Sequence, residues 1–142
     1  HPTKLALIGA GVSGLICART LLDHGLEVTV FDKSRGVGGR MATRYAGDFE
    51  FDHGAQFFTA RSQAFRDFLA PHIDTGAVTV WEPAFAELRG ADITDLRQWD
   101  NSTPHYVAAP RMNSLAKALA RDLDVKTGTT VAPIRRSDDR CA

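Results

Sequence analysis

Gly9-Ala10-Gly11-Val12-Ser13-Gly14 sets three glycines at the spacing G-x-G-x-x-G. Each glycine has a steric job in a dinucleotide-binding turn. Gly9 turns the chain sharply, Gly11 lets backbone approach a pyrophosphate, and Gly14 lets a helix pack close to a sheet. The phosphates then sit at the helix N-terminus, where free N–H groups and the helix dipole meet negative charge. Asp32 follows 21 residues after Gly11, placed to accept hydrogen bonds from an adenosine ribose. An acid at that point disfavours a 2′-phosphate, so NAD or FAD is preferred over NADP. The competing reading is an ordinary glycine turn followed by a solvated aspartate.

The next stretch, Lys33-Ser34-Arg35-Gly36-Val37-Gly38-Gly39-Arg40-Met41-Ala42-Thr43-Arg44, carries four cations and no acid. It reads either as a solvated basic loop or as a second phosphate clamp. In the clamp, Gly38-Gly39 allows close backbone approach and an arginine offers a bidentate fork to phosphate oxygen. A plain NAD domain runs into another helix here rather than a glycine-arginine loop.

These residues need particular elements to hold them. Lys4 to Ile8 reads as a short buried strand ending in Gly9. Val12 to His24 has helical spacing, with Leu15, Ala18, Leu21 and Leu22 as its apolar stripe and Gly25 as its stop. Glu27 to Phe31 is a β-branched strand that delivers Asp32. Two strands joined by a helix make a parallel βαβ unit. Lys33 to Gly47 reads as loop and Phe49 to Phe51 as a short strand. Gln63 to Leu69 reads as a helix closed by Pro71, with Phe65, Phe68 and Leu69 on one side. Val78 to Trp81 and Phe85 to Arg89 read as strands. Met112 to Leu123 is amphipathic, with Met112, Leu115, Leu119 and Leu123 in line. Val125 to Thr127 and Thr130 to Ile134 read as strands split by Gly128.

Composition narrows the setting. The chain has 142 residues, with 17 basic and 17 acidic side chains. The balance is even along its length, which gives no field for steering a nucleic acid or an anionic membrane. No apolar run approaches the roughly 18–20 residues of a spanning helix. Cys17 and Cys141 build neither a disulfide framework nor a zinc site, so the expected setting is cytoplasmic and reducing, and Cys17 reads as a small core residue. The five histidines show no metal-ligand spacing. The chain begins at His1 rather than Met, which reads as processing or trimming, and ends in a polar stretch from Arg135 to Ala142. Arg135 and Arg136 read as solvated strand-end charges.

At these residues the sequence resembles the FAD-dependent amine oxidoreductase superfamily and, within it, the renalase-like proteins. Four stretches carry the likeness: the dinucleotide motif through Asp32-Lys33; Arg35 to Thr43, similar to the family's "GGRM" loop; Asp52-His53-Gly54-Ala55-Gln56-Phe57-Phe58-Thr59, similar to its "D-x-G-A-Q-aromatic" segment; and Tyr106 to Leu115, similar to the segment leading back to the FAD domain. Arg111 stands where many relatives have glycine. The "GAQ" element favours renalase-like members over general amine oxidases.

The resemblance implies an α/β fold, a Rossmann-like FAD-binding βαβ core with the start of an inserted substrate-binding region. It places the FAD-binding core and glycine-arginine loop at 1–59, part of the substrate region at 60–110, and a return helix and strand at 111–142. It implies that Gly9, Gly11, Val12, Ser13 and Gly14 contact the pyrophosphate and Asp32-Lys33 the adenosine side. Arg35, Gly39 and Arg40 belong with the phosphates or the flavin edge, with Met41 beside them. Gln56 and Phe57 approach the isoalloxazine, and the backbone of Val131 contacts adenine. A glutamine amide suits flavin because it both donates and accepts. Phe57 and Phe58 read equally as a ring wall or as core aromatics. Trp81 and Trp99 read as substrate-pocket wall or as packing, Asp52 as a cap or loop acid, and His53 as a surface histidine. No residue is named as catalytic, because the flavin carries the chemistry. The implied reaction is hydride transfer from a small-molecule substrate, a dihydronicotinamide dinucleotide or an amine, to flavin, which dioxygen reoxidises. The alternative is a nucleotide-binding module without activity of its own, lacking a C-terminal half that relatives possess.

Overall fold

The computed structural model describes residues 3–99 and 102–135. The expectations for Arg136 and Cys141 lie outside them. Strand β1 (Lys4–Ile8) leads through a glycine turn into helix α1 (Val12–Asp23), and β2 (Glu27–Phe31) follows. β1 and β2 pair in parallel, Lys4 opposite Glu27 and Ile8 opposite Phe31. The αL turn that separates α1 from β2 falls on Gly25, at φ +78°. A late strand, β10 (Asp124–Lys126), joins the other edge of β2 in parallel, giving a three-stranded sheet in the order β1-β2-β10.

The middle of the chain is antiparallel. A 3₁₀ turn (Gly39–Met41) precedes the hairpin β3 (Thr43–Ala46) and β4 (Phe49–Asp52). β5 (Phe58–Thr59), β9 (His105–Ala108) and β6 (Val78–Val80) form a second three-stranded sheet in that order. Helix α2 (Gln63–Asp74) lies between β5 and β6 in sequence, with the Ser62 hydroxyl accepting from the Phe65 N–H as its N-cap. β7 (Ala84–Arg89) and β8 (Asp92–Gln98) form a hairpin bulged at Glu87/Leu88. Helix α3 (Asn113–Ala120) packs beside α1.

One apolar core runs through both sheets. Leu15 and Ala18 of α1, Val30 of β2, Leu69 of α2, Val78 of β6 and Met112, Leu115, Ala116 and Leu119 around α3 are buried together. Phe65, Phe68 and Leu123 pack against this cluster, as their spacing predicts. No helix among the described residues is long and apolar enough to cross a membrane.

Several sequence expectations change. Lys33 to Gly47 is not all loop, because it contains the 3₁₀ turn and β3. Pro71 does not end α2; the helix continues to Asp74, and the Pro71 carbonyl accepts from the Thr75 N–H. α3 stops at Ala120 rather than running to Leu123, because Arg121 leaves helical geometry and Asp122 adopts φ 65°. The Arg19 guanidinium fastens that end, donating to the carbonyls of Leu119 at 2.7 Å and Arg121 at 2.6 Å. Thr130 to Ile134 forms no strand. Leu22 is 41% exposed, and Cys17 is exposed rather than a core residue, so α1 buries a narrower stripe than its sequence suggests.

Candidate functional site

The glycine turn sits at the C-terminal ends of β1 and β2. The Gly9 N–H donates to the Phe31 carbonyl at 2.7 Å, fastening the turn to the second strand. A Cβ on Gly14 would fall inside 3.0 Å of the Gly9 carbonyl oxygen, so only glycine lets α1 approach β1 this closely. A Cβ on Gly11 would meet nothing within 4 Å, which leaves bare backbone facing open space. α1 begins at Val12 with no side-chain cap and no acid in its first turn. Its first N–H groups are therefore unclaimed by side chains, the condition for anion binding at a helix start.

Asp32 is 9% exposed and is held on both oxygens. Its Oδ2 accepts from the Ala10 N–H at 2.6 Å and its Oδ1 from the Ser34 N–H at 2.7 Å. Burial pushes this carboxyl up. The Ser34 and Ala10 N–H groups, the Ser34 hydroxyl and the Lys33 charge outweigh it and hold the group below its usual value. The carboxylate thus braces the glycine turn as well as ending the strand. Sequence spacing placed Asp32 at the site but gave no signal of this brace.

The glycine-arginine loop folds back onto the glycine turn. The Gly38 N–H donates to the Ala10 carbonyl at 2.9 Å, and a Cβ on Gly39 would stand 3.2 Å from the Gly11 Cα. The close approach that Gly38-Gly39 permits is therefore, first, to the other glycine loop. Arg40 follows, exposed, and its carbonyl accepts the Ala55 N–H at 2.8 Å. A Cβ on Gly54 would fall inside 3.0 Å of that same oxygen, so the "D-x-G-A-Q" segment is seated on the Arg40 backbone.

Two clefts follow from this arrangement. The larger, about 580 Å³, is lined by Ile8, Gly9, Gly11, Val12, Ser13, Gly14, Gly38, Gly39, Arg40, Met41 and Ala55. The smaller, about 260 Å³, is lined by Ile8, Gly9, Asp32, Lys33, Thr129, Thr130 and Val131. They share Ile8 and Gly9. Asp32 has its backbone tied on both sides, its N–H donating to Lys126 and its carbonyl accepting from Thr129, and this brings the 129–131 segment beside β2. Val131 reaches the cleft from irregular chain beyond β10, not from a strand.

Of the residues singled out in the sequence, Gly9, Gly11, Val12, Ser13, Gly14, Asp32, Lys33, Gly39, Arg40, Met41 and Val131 line this pair of clefts. Arg35 does not; it lines a separate cleft with Arg44 and His53. Gln56 and Phe57 are exposed and line neither of the pair. Phe57 instead belongs to an aromatic cluster. Its ring meets Trp99 at 4.8 Å and His105 at 4.9 Å, Trp99 stacks on His105 at 3.7 Å, and Phe85 and Trp81 approach Trp99 at 4.5 and 5.3 Å. Phe58 turns the other way, toward Phe65 and Tyr106. Ala55, Thr129 and Thr130 line the clefts without a sequence signal. Asp52 is a cap-like brace: Oδ1 accepts from the Thr43 hydroxyl and Oδ2 from the Met112 N–H, joining the β3–β4 hairpin to the start of α3. Among the described residues no group of three His, Cys, Asp or Glu side chains is placed to hold a metal ion.

Comparison with known proteins bears on the fold that carries these clefts. Residues 7–71 match the NAD(P)-binding Rossmann-like domain family. The chain is similar to 4,4′-diapophytoene desaturase (4,4′-diaponeurosporene-forming) from Staphylococcus aureus strain Newman, at 38% identity over 46% of this chain and 15% of that protein. The enzyme of the same name from strain MRSA252 is 49% identical over 36% of this chain and 10% of its own length. These matches thus span about a tenth to a seventh of those relatives. Among solved structures, 2,6-dihydroxypyridine-3-hydroxylase from Arthrobacter nicotinovorans superposes on 99% of this chain and 32% of its own, with a TM-score of 0.58 and 12% identity. That likeness is one of fold. The relatives' names are those of oxidoreductases, a desaturase and a hydroxylase. The chain itself has a mixed α/β, Rossmann-like nucleotide-binding fold.

Proposed function

We propose that this chain binds FAD and forms the cofactor-holding part of a flavin-dependent oxidoreductase of the renalase-like type. The observation that carries the reading is the pair of clefts meeting at Gly9. An acid braced at a ribose position lies on one side, and an uncapped helix start with Arg40, which has no ion-pair partner among the described residues, lies on the other. A dinucleotide is the ligand with that layout: adenosine at Asp32 and Val131, pyrophosphate over Gly11 to Ser13, and the remaining half toward Met41 and Ala55. The residues fit the group. Gly11 presents backbone to open space, and Arg40 has no ion-pair partner among the described residues.

A bound flavin would supply two-electron, hydride-accepting chemistry, with dioxygen as the reoxidant. The chain's own residues bind and orient. Asp32 stays ionised at neutral pH and accepts from ribose hydroxyls. Arg40 neutralises phosphate charge with a planar fork. Gly38 and Gly39 keep the arginine loop against the glycine turn. The substrate class favoured by the resemblance is a dihydronicotinamide dinucleotide, with an amine as the second choice. The cluster of Phe57, Trp81, Trp99 and His105 offers flat, rigid surface for an aromatic ring.

The test is direct titration of the purified chain with FAD and with NAD, followed by flavin absorbance and protein fluorescence. FAD should bind more tightly than NAD, and Arg40→Ala and Asp32→Asn should both weaken it. Binding of FAD that neither variant alters would remove these residues from the site.

A further inference from the structure

Tyr45 lies on β3 and is 50% exposed. Among the described residues, both groups at its hydroxyl are donors. The Asn113 Nδ2 donates to the phenol oxygen at 3.2 Å and the Lys117 Nζ at 3.3 Å. The Lys117 Nζ and the Arg111 guanidinium carbon each stand 5.7 Å from the ring centre, within cation–π range. An ammonium has no acceptor, and the Asn113 group turned to the phenol is its NH₂, so neither neighbour accepts the phenol proton. Both contacts strengthen when the oxygen carries charge.

The charges around the ring come from four segments. α3 and the turn before it supply Lys117 and Arg111. On β4, Glu50 is opposite Tyr45 in the hairpin register, but it is paired with Arg111, and Asp52 accepts from Thr43 and Met112. Arg44 precedes Tyr45 on β3, and Arg35 and His53 share with it the wall of the open cleft of about 570 Å³. The hydrogen bond from Asn113 first, then the hydrogen bond and charge of Lys117 and the charge of Arg111, hold the phenol below its usual value, against burial that pushes it up.

We propose that Tyr45 is a nucleophilic tyrosine and a covalent modification site for activated acyl donors. A tyrosine whose ionised form is favoured is an activated nucleophile. Its oxygen is a hard nucleophile, matched to a carbonyl carbon that bears a good leaving group. In the step, the phenol proton goes to solvent and the oxygen attacks the carbonyl carbon. A C–O bond forms as the bond to the leaving group breaks. The leaving group departs with that electron pair, and Tyr45 is left as an aryl ester, with nothing oxidised or reduced. Asn113 and Lys117 orient the attacking oxygen and stabilise its charge. The site is independent of what fills the dinucleotide groove.

The probe is N-acetylimidazole, applied near neutral pH to the folded chain and to the chain unfolded in urea, with the acetylated sites read by peptide mass spectrometry. Hydroxylamine removes tyrosine esters and leaves lysine amides, so the two products are told apart. Unfolding exposes Tyr45 fully, so exposure alone cannot make the folded residue react faster than the unfolded one. Tyr45 should be acetylated about threefold faster in the folded chain, because its ionised fraction rises by more than the reactivity of the oxygen falls. Lys117→Met, an exposed change, should lower that rate. It should also move the near-ultraviolet phenolate titration of Tyr45, identified by its loss in Tyr45→Phe, to higher pH. A folded rate at or below the unfolded one would overturn the proposal. So would a Lys117→Met variant in which rate and titration are unchanged, or a label that falls on Lys117 and not on Tyr45.

Discussion

Replacing three glycines by alanine separates folding from binding. In Gly14→Ala the new methyl meets the Gly9 carbonyl inside 3.0 Å, and the Gly9 carbonyl carbon lies 3.3 Å away. Both walls are backbone, so no side chain can rotate aside, and α1 must move off β1. Overpacking of this kind costs about 1–3 kcal/mol, and a rigid wall puts it toward the top of that range. Alanine returns about 1 kcal/mol of helix propensity. The net loss should be about 1–2 kcal/mol, a fall in Tm of roughly 3–8 °C. Gly11→Ala adds its methyl to open space at the mouth of the cleft, with φ −74° that alanine tolerates. It should leave Tm unchanged and weaken FAD binding at least tenfold, because the methyl stands where phosphate must approach. Gly36→Ala, which also meets nothing within 4 Å, should change neither. Circular dichroism melts and flavin fluorescence titrations measure the two effects. A Gly14→Ala variant as stable as the parent, or a Gly11→Ala variant that binds FAD normally, would rule out the steric roles given to these two glycines.

Other changes have defined outcomes. Arg40→Ala should weaken FAD binding about 10- to 100-fold with no loss of stability, since only the Arg40 backbone carbonyl is used in the fold. Asp32→Asn should cost about 1–3 kcal/mol at pH 7. The folded Asp32 carboxyl is held below the usual 3.8, so its stabilisation is full above that value and is lost as pH falls through the folded value. Denaturant midpoints of parent and variant should therefore draw together as pH falls below 3.8; a gap that does not narrow in acid would contradict the ionised brace. Pro71→Ala should raise Tm, because it removes the ring from the interior of α2 and restores an N–H there. A lower Tm would mean that unfolded-state entropy outweighs the helix term.

The parts of the fold legible in the sequence are those whose signals are local. β1, α1 and β2 switch period within a few residues and are punctuated by Gly9 and Gly25, and their observed limits match that pattern. β8 was not legible. Its sequence, Asp-Ile-Thr-Asp-Leu-Arg-Gln, is mostly polar, and every residue of the strand is exposed, so no buried face imposes an alternation. β5 and β9 are short and are fixed by pairing with each other, a tertiary fact. Pro71 misleads because its ring ends a helix by rule, whereas the packing of Leu69 carries α2 on to Asp74. At the site, glycine spacing and Asp32 were readable because steric need is local. The partition of Arg35 and Arg40 between two clefts was not, because it depends on which way one loop folds against the glycine turn. The seating of Gly54 on the Arg40 carbonyl was equally hidden.

The central claim is that the joined clefts hold FAD. The most direct measurement is equilibrium titration of the folded 142-residue chain with FAD, read by the shape of the flavin absorbance bands, with NAD as competitor. Binding should be saturable, with shifted, sharpened flavin bands, tighter than NAD, and lost in Gly11→Ala while the fold persists. A folded chain that leaves the flavin spectrum unchanged, or that binds NAD in preference, would contradict it.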